Sequence, residues 1–252
     1  MKKHCPLIKL VIHPSTLLYF MLSIFVGWFK ESLLAFFIIL FHEYAHTITA
    51  WLLSYDIEKI HLYPFGAFVE INDYGLHENW QDFSVAISGP LSYFLLLGIG
   101  FLAKDFLGPH SYYYFQNINR AVLLFNLLPI WPLDGAKILL IGLSYIVDYL
   151  QALKTLIPVS VLSLVLLMKY AWGPNYYLVY GYLCSQIVVF GRHFYFHYLR
   201  LLFSRSSRHM HGPVRFHGDR SFFKPYTNYY YYKGRILDEK EFINSKIFID
   251  NG

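Results

Sequence analysis

The sequence predicts an all-α polytopic membrane protein: six transmembrane helices, a re-entrant β-hairpin and a short cytoplasmic C-terminal tail. Three observations predict it. Of 252 residues, 56% are hydrophobic and only 15% charged, where soluble domains carry about 45–50% and about 25%. The apolar residues gather in runs approaching the roughly 20 residues that cross a bilayer. Aromatics make up 20% of the chain, which excludes a disordered polypeptide.

The first expected span runs from Leu10 to Phe29. The basic Met1-Lys2-Lys3 start resembles a signal peptide, but no small-x-small cleavage site follows, so the span is read as uncleaved. The second runs from Ser32 to Leu53 and the third from Phe83 to Ala103. The fourth begins near Tyr112, breaks at Pro129 and Pro132, and resumes from Ile138 to Ile146. The fifth covers Leu156 to Trp172, and the sixth starts at Tyr176 and fades into Arg192 and His193. An even number of spans puts both termini on one side.

Lys2 and Lys3 at one end, and seven basic residues against one acid between Arg192 and Lys224, place that side in the cytoplasm. The same bias explains the basic stretch without nucleic acid, which is not an expected partner. The loop from Asp56 to Asp82 holds six acids and one Lys, yet acids weigh little in orientation, so it too is placed in the cytoplasm. Cys5 and Cys184 are too few for a disulfide framework or a cysteine metal site. No internal repeat is visible, which weakens an inverted-repeat transporter.

Within the second span stands Leu40-Phe41-His42-Glu43-Tyr44-Ala45-His46-Thr47-Ile48. Ionisable side chains at membrane depth are expensive and mark a functional site by default. On a helix His42 and His46 lie one turn apart on one face, so both imidazoles can reach one metal ion. Glu43 can then reach a water molecule at that ion, the arrangement of H-E-x-x-H zinc metalloproteases. The competing explanation is a proton-coupled transporter, with His42, Glu43, His46 and Asp134 as its relay.

A catalytic zinc site takes three protein ligands and leaves a fourth position open. Asp134 is the strongest candidate for the third, in Asn126-Leu127-Leu128-Pro129-Ile130-Trp131-Pro132-Leu133-Asp134-Gly135. Two prolines and a glycine break the helix there. Irregular backbone at this depth must be buried in protein or line a wet cavity, which the carboxylate would face. A carboxylate at a helix end near the interface is the plainer alternative.

These two motifs together resemble the site-2 protease family of intramembrane zinc metalloproteases. Leu62-Tyr63-Pro64-Phe65-Gly66, Ser88-Gly89-Pro90 and the run from Asn126 to Lys137 narrow the resemblance to its sporulation branch, over residues from about 10 to 200. The resemblance implies one Zn2+ per chain held by His42, His46 and Asp134, with Glu43 activating water. It gives Asn126 the task of holding the substrate backbone or the developing oxyanion. It further implies a protein substrate, the precursor of a sporulation sigma factor. Cleavage would occur on the mother-cell side of the membrane around the forespore, under membrane-embedded inhibitory or scaffolding proteins.

Between the second and third spans, apolar residues flank a Pro64-Phe65-Gly66 turn, which reads as a hairpin or, equally, as an interfacial loop with aromatic anchors. The resemblance favours a re-entrant hairpin that offers an edge strand to an extended substrate. This turn and the Pro129 and Pro132 break are the expected substrate-binding elements. Ser88-Gly89-Pro90 carries no chemistry by itself and is read as a packing or bending device.

Two domains are expected: the six-span protease domain over 1–200 and a cytoplasmic tail over 201–252. Sporulation members of the family usually continue into a CBS-type nucleotide-sensing module, for which the tail is too short. Val214 to Lys233 reads as a strand pair and Leu237 to Ile243 as a short helix. The tail is expected to contact substrate or the membrane surface without being needed for bond cleavage.

Overall fold

The computed structural model describes residues 9–63, 66–171, 173, 176–207, 213–217, 221–232 and 235–243. They fold mainly into helices. In order these are β1 (Lys9–Ile12), α1 (Pro14–Val26), α2 (Phe29–Leu52), β2 (Ile57–Tyr63), β3 (Gly66–Ile71) and α3 (Asn79–Leu102). There follow α4 (Lys104–Leu107), α5 (Pro109–Asn126), α6 (Asp134–Ile146), α7 (Tyr149–Tyr170), α8 (Tyr177–Ser207), β4 (Val214–His217), β5 (Thr227–Tyr232) and β6 (Arg235–Leu237). Among the described residues α2, α3 and α7 are long and apolar enough to cross a membrane. The chain is an integral membrane protein. The chain divides into two compact units, residues 1–74 with 84–127 and residues 75–83 with 128–252.

In the first unit, α1 opens at Pro14, where the missing N–H costs nothing and the fixed φ suits a helix. His13 caps it, its Nδ1 accepting from the Ser15 N–H at 3.3 Å. Gly27 ends it in the left-handed region at φ 81°, which a side chain would resist. The first expected span therefore splits: Lys9–Ile12 leaves the helix and becomes a strand. The reason is a partner. The strand pairs in parallel with β2, from Lys9 opposite Lys59 to Ile12 opposite Leu62. The Thr16 hydroxyl fastens the join by donating to the Leu62 carbonyl at 2.8 Å.

Strands β2 and β3 form the expected hairpin, with Ile60 opposite Val69 and Tyr63 opposite Gly66. Gly66 opens β3, and Pro64 and Phe65 lie outside the described residues. The sheet order β1-β2-β3 leaves β3 on an edge. Ile57 on β2 packs with Ala50, Tyr55 and Val85, which seats the hairpin beside the C-terminal half of α2. Ile38, Leu96 and Phe115 form a second apolar cluster joining α2, α3 and α5. These two clusters fix the helix faces that surround the histidines.

The helix break falls where the prolines predict: α5 ends at Asn126, and α6 of the second unit begins at Asp134. The backbone groups freed there find a partner on α7. Ser160 accepts from the Trp131 N–H at 3.1 Å and donates to the Pro129 carbonyl at 3.4 Å. The Trp131 ring stacks on Phe190 with centroids 4.3 Å apart. Tyr149, Leu153 and Leu156 of α7 pack on Phe190, Tyr198 and Leu201 of α8 in the main core of this unit.

Phe222 and Ile243 belong to that same core, so the described part of 201–252 is folded onto α7 and α8. The strands appear as read from the sequence, with β4 parallel and β6 antiparallel to β5, and residues 239–243 are helical. Asp148 caps α7 through Leu150 N–H at 3.0 Å and also accepts from Phe222 N–H. The Lys224 ammonium pairs with Asp82, their side chains 3% and 1% exposed. Arg205 donates to the Lys224 carbonyl and lies 3.5 Å from Glu239.

Candidate metal centre

Helix α2 carries His42 and His46 one turn apart, both buried. Their spacing puts the two rings side by side, with Nε2 atoms 3.3 Å apart. The neighbouring helix α3 orients one of them. His46 Nδ1 lies 2.7 Å from the Val85 carbonyl, and a carbonyl only accepts, so Nδ1 carries the proton and donates. In the neutral ring Nε2 is then left with its lone pair directed at His42. Ser88 Oγ donates to the same Val85 carbonyl at 2.7 Å.

Gly89 gives this pair its room. A Cβ at that position would stand 2.2 Å from His46 Nε2 and 2.7 Å from His42 Cε1, closer than any real contact allows. Glycine is thus required where α3 passes the imidazoles. Pro90 follows it within the helix.

The donor set of the first unit fits a zinc ion. Tetrahedral Zn–N bonds of about 2.0–2.1 Å put two ligand nitrogens about 3.3–3.4 Å apart, and the observed separation is 3.3 Å. An outer hydrogen bond fixing the tautomer of a ligand histidine, as Val85 does here, is the usual companion of such a site. Glu43 is half-buried on the same helix turn.

Asp134 belongs to the second unit and is 3% exposed. It is the first residue of α6, where the helix dipole favours a carboxylate. Lys137, three residues on, places Nζ 3.0 Å from Asp134 Oδ1. Asn126 ends α5, with its amide Nδ2 donating to the Val122 carbonyl of its own helix at 3.0 Å. Asn119, two turns earlier, is 2% exposed and lines a small pocket with His42, Gly89 and Ser92.

The sequence singles out the histidines, the glutamate and the aspartate by residue type and spacing, and the structure places His42 and His46 side by side. It did not identify Gly89, Asn119 or the Val85 carbonyl as parts of the site. Only Ser88-Gly89-Pro90, small residues inside an apolar run, signalled a close approach. Nothing in spacing says that His46 and Val85, 39 residues apart, hydrogen-bond.

Paired, oriented, buried imidazoles on an apolar helix define the class: an integral membrane protein with a candidate metal centre. The stretch that carries them, residues 31–109, matches the model of Peptidase family M50. Stage IV sporulation protein FB of Bacillus subtilis is 33% identical over 140 residues, 55% of this chain and 49% of that protein. A zinc metalloprotease of Methanocaldococcus jannaschii is 29% identical over 172 residues, 66% of this chain and 49% of the other. A putative zinc metalloprotease of Synechocystis is 33% identical over 113 residues, 43% of this chain and 30% of that one. The chain thus spans about half or less of the length of these relatives. The solved site-2 protease from Methanocaldococcus jannaschii shares the fold, with a TM-score of 0.52 and 24% identity, over 72% of this chain and 88% of that one.

Proposed function

We propose that the chain is an intramembrane zinc metalloprotease that hydrolyses a peptide bond in a membrane-associated protein. The observation that carries this is the buried imidazole pair, with Nε2 atoms 3.3 Å apart. His42, His46 and Asp134 are the three ligands. Bound there, a zinc ion would supply Lewis-acid polarisation of a scissile carbonyl and would lower the pKa of water to about 7. Glu43 takes the proton of the attacking water as its oxygen adds to the carbonyl carbon. The C–N bond then breaks, and Glu43 passes that proton to the leaving amine. Asn126 holds the substrate backbone or the oxyanion, and a donor there strengthens as charge develops.

The edge position of β3 supports binding of an extended substrate strand, since among the described residues its outer backbone groups have no strand neighbour in the sheet. Pro64, Phe65 and Gly66 would turn this hairpin toward the substrate, and Pro129 and Pro132 would shape the wet cavity near Asp134. A helical substrate must be unwound first, because its carbonyls are otherwise occupied. The topology in this proposal is six spans, with the hairpin re-entrant and both termini cytoplasmic. Likeness to the sporulation protein supports a sigma-factor precursor as substrate, in the membrane around the forespore, with membrane-embedded regulators.

Metal content tests the proposal. Purified protein should hold about one zinc per chain, as one tetrahedral site requires, and lose it with cleavage on His42→Ala or His46→Ala. A metal-free protein that carries a solute across vesicles through the same residues would overturn it in favour of the relay transporter.

A further inference from the structure

Asp134 is nearly inaccessible, yet one of its oxygens is already engaged. Lys137 Nζ lies 3.0 Å from Oδ1, with side-chain exposures of 30% for the lysine and 5% for the aspartate. The two stand at i and i+3 on the first turn of α6, where side chains share a face. This helix starts without a side-chain cap, so the carboxylate's orientation comes from its own contacts. Carboxylates that bind metals are themselves hydrogen-bonded, and that outer partner fixes which oxygen points at the ion.

We propose that Lys137 is a positioning residue for the metal: it holds Oδ1 of Asp134 so that Oδ2 alone serves as the ligand oxygen. A carboxylate without such a partner can rotate and offer either oxygen or both. Fixing one oxygen selects single-oxygen ligation, which suits a four-coordinate zinc with an open position. Arginine in the same place could do the same, since its fork also donates to carboxylate oxygens. Methionine matches the length of lysine and donates nothing.

The inference rests on Asp134 being a zinc ligand, and the test separates the two claims. Apo protein in detergent is titrated with zinc against a chromophoric chelator, which reads affinity without any substrate. Lys137→Met should weaken zinc binding by about 10–100-fold, the usual loss on removing an outer partner. Lys137→Arg should restore it to within about threefold. Thermal unfolding of the apo forms serves as the folding control. Asp134→Asn should weaken zinc binding more, and adding Lys137→Met to it should change little further, because the two act through one contact. If Lys137→Met binds zinc as tightly as wild type, or more tightly, while Asp134→Asn does not, the positioning role falls and the ligand assignment stands. If Asp134→Asn also binds normally, the ligand assignment falls and the positioning role with it. If both single losses simply add in the double variant, the shared contact is refuted.

Discussion

Glu43 sits between two buried histidines in sequence and stays half-buried itself, and the proposed mechanism gives it the proton exchange. Glu43→Gln keeps shape and hydrogen bonding but cannot take a proton. It should retain zinc and lose cleavage by at least about 100-fold, the lower range for a general base; zinc-loaded variant protein cleaving at the wild-type rate would remove Glu43 from that role. Gly89 makes a different demand. An alanine there must displace a ring 2.2 Å away, at about 1–3 kcal/mol for overpacking. Gly89→Ala should therefore lower the unfolding midpoint and weaken zinc binding together, whereas Gly98→Ala on the same helix, with open space around its Cβ position, should shift neither by that mechanism. Residue type and spacing made His42, Glu43 and His46 legible, because one helix turn fixes their neighbourhood. The demand at Gly89 was not legible, because it arises only when another helix passes within contact distance.

The broken segment between α5 and α6 shows how an element survives without regular hydrogen bonding. Its prolines were plain in the sequence, and so was the need to satisfy the freed backbone groups. The identity of the partner, Ser160 on α7, was not, since 29 and 31 residues separate the bonded atoms. Ser160→Ala leaves those part-buried groups without this partner, at up to about 1–3 kcal/mol, so the unfolding midpoint should drop; an unchanged midpoint would mean that other groups satisfy them. The same segment brings Trp131 beside His197 of α8, with centroids 6.1 Å apart. Burial pushes the His197 imidazole below its ordinary 6.5, and the charges of Arg200 and His193 add to this. The folded form thus resists a proton that the unfolded chain accepts. Stability is fully present above about 6.5 and declines as pH falls through the depressed folded value. Unfolding midpoints measured from pH 7 to about 5 should fall less steeply for His197→Phe than for wild type. Equal slopes would show that His197 does not carry the effect. The strand β1 was hidden for a related reason: Leu10 to Ile12 are apolar enough for a span and become a strand only because β2 stands ready to pair.

At the scale of the molecule, composition made the membrane class legible, and the hydrophobic runs located α2, α3 and α7. The docking of the C-terminal segment was invisible, because it depends on single contacts between distant residues. Asp82 and Lys224, almost wholly buried, are 142 residues apart. Removing one member of a buried pair costs about 3–5 kcal/mol, because the other charge stays buried alone. Lys224→Met should therefore destabilise strongly, and Asp82→Asn combined with it should recover part of the loss. A chain cut after Ser207 should fail to fold stably and lose cleavage of short peptide and full-length substrate alike. Full peptidase activity in that truncated protein would show the segment to be an accessory. The pair also imposes an order on biosynthesis. At about 5–20 residues per second, a ribosome that has made Asp82 needs roughly 7–28 s more to reach Lys224. Throughout that interval the first turn of α3 carries a charge whose permanent neighbour does not yet exist, so it must wait in water or at the lipid headgroups. The helix enters the membrane early, but its end is sealed only once the chain has reached Lys224, 142 residues later.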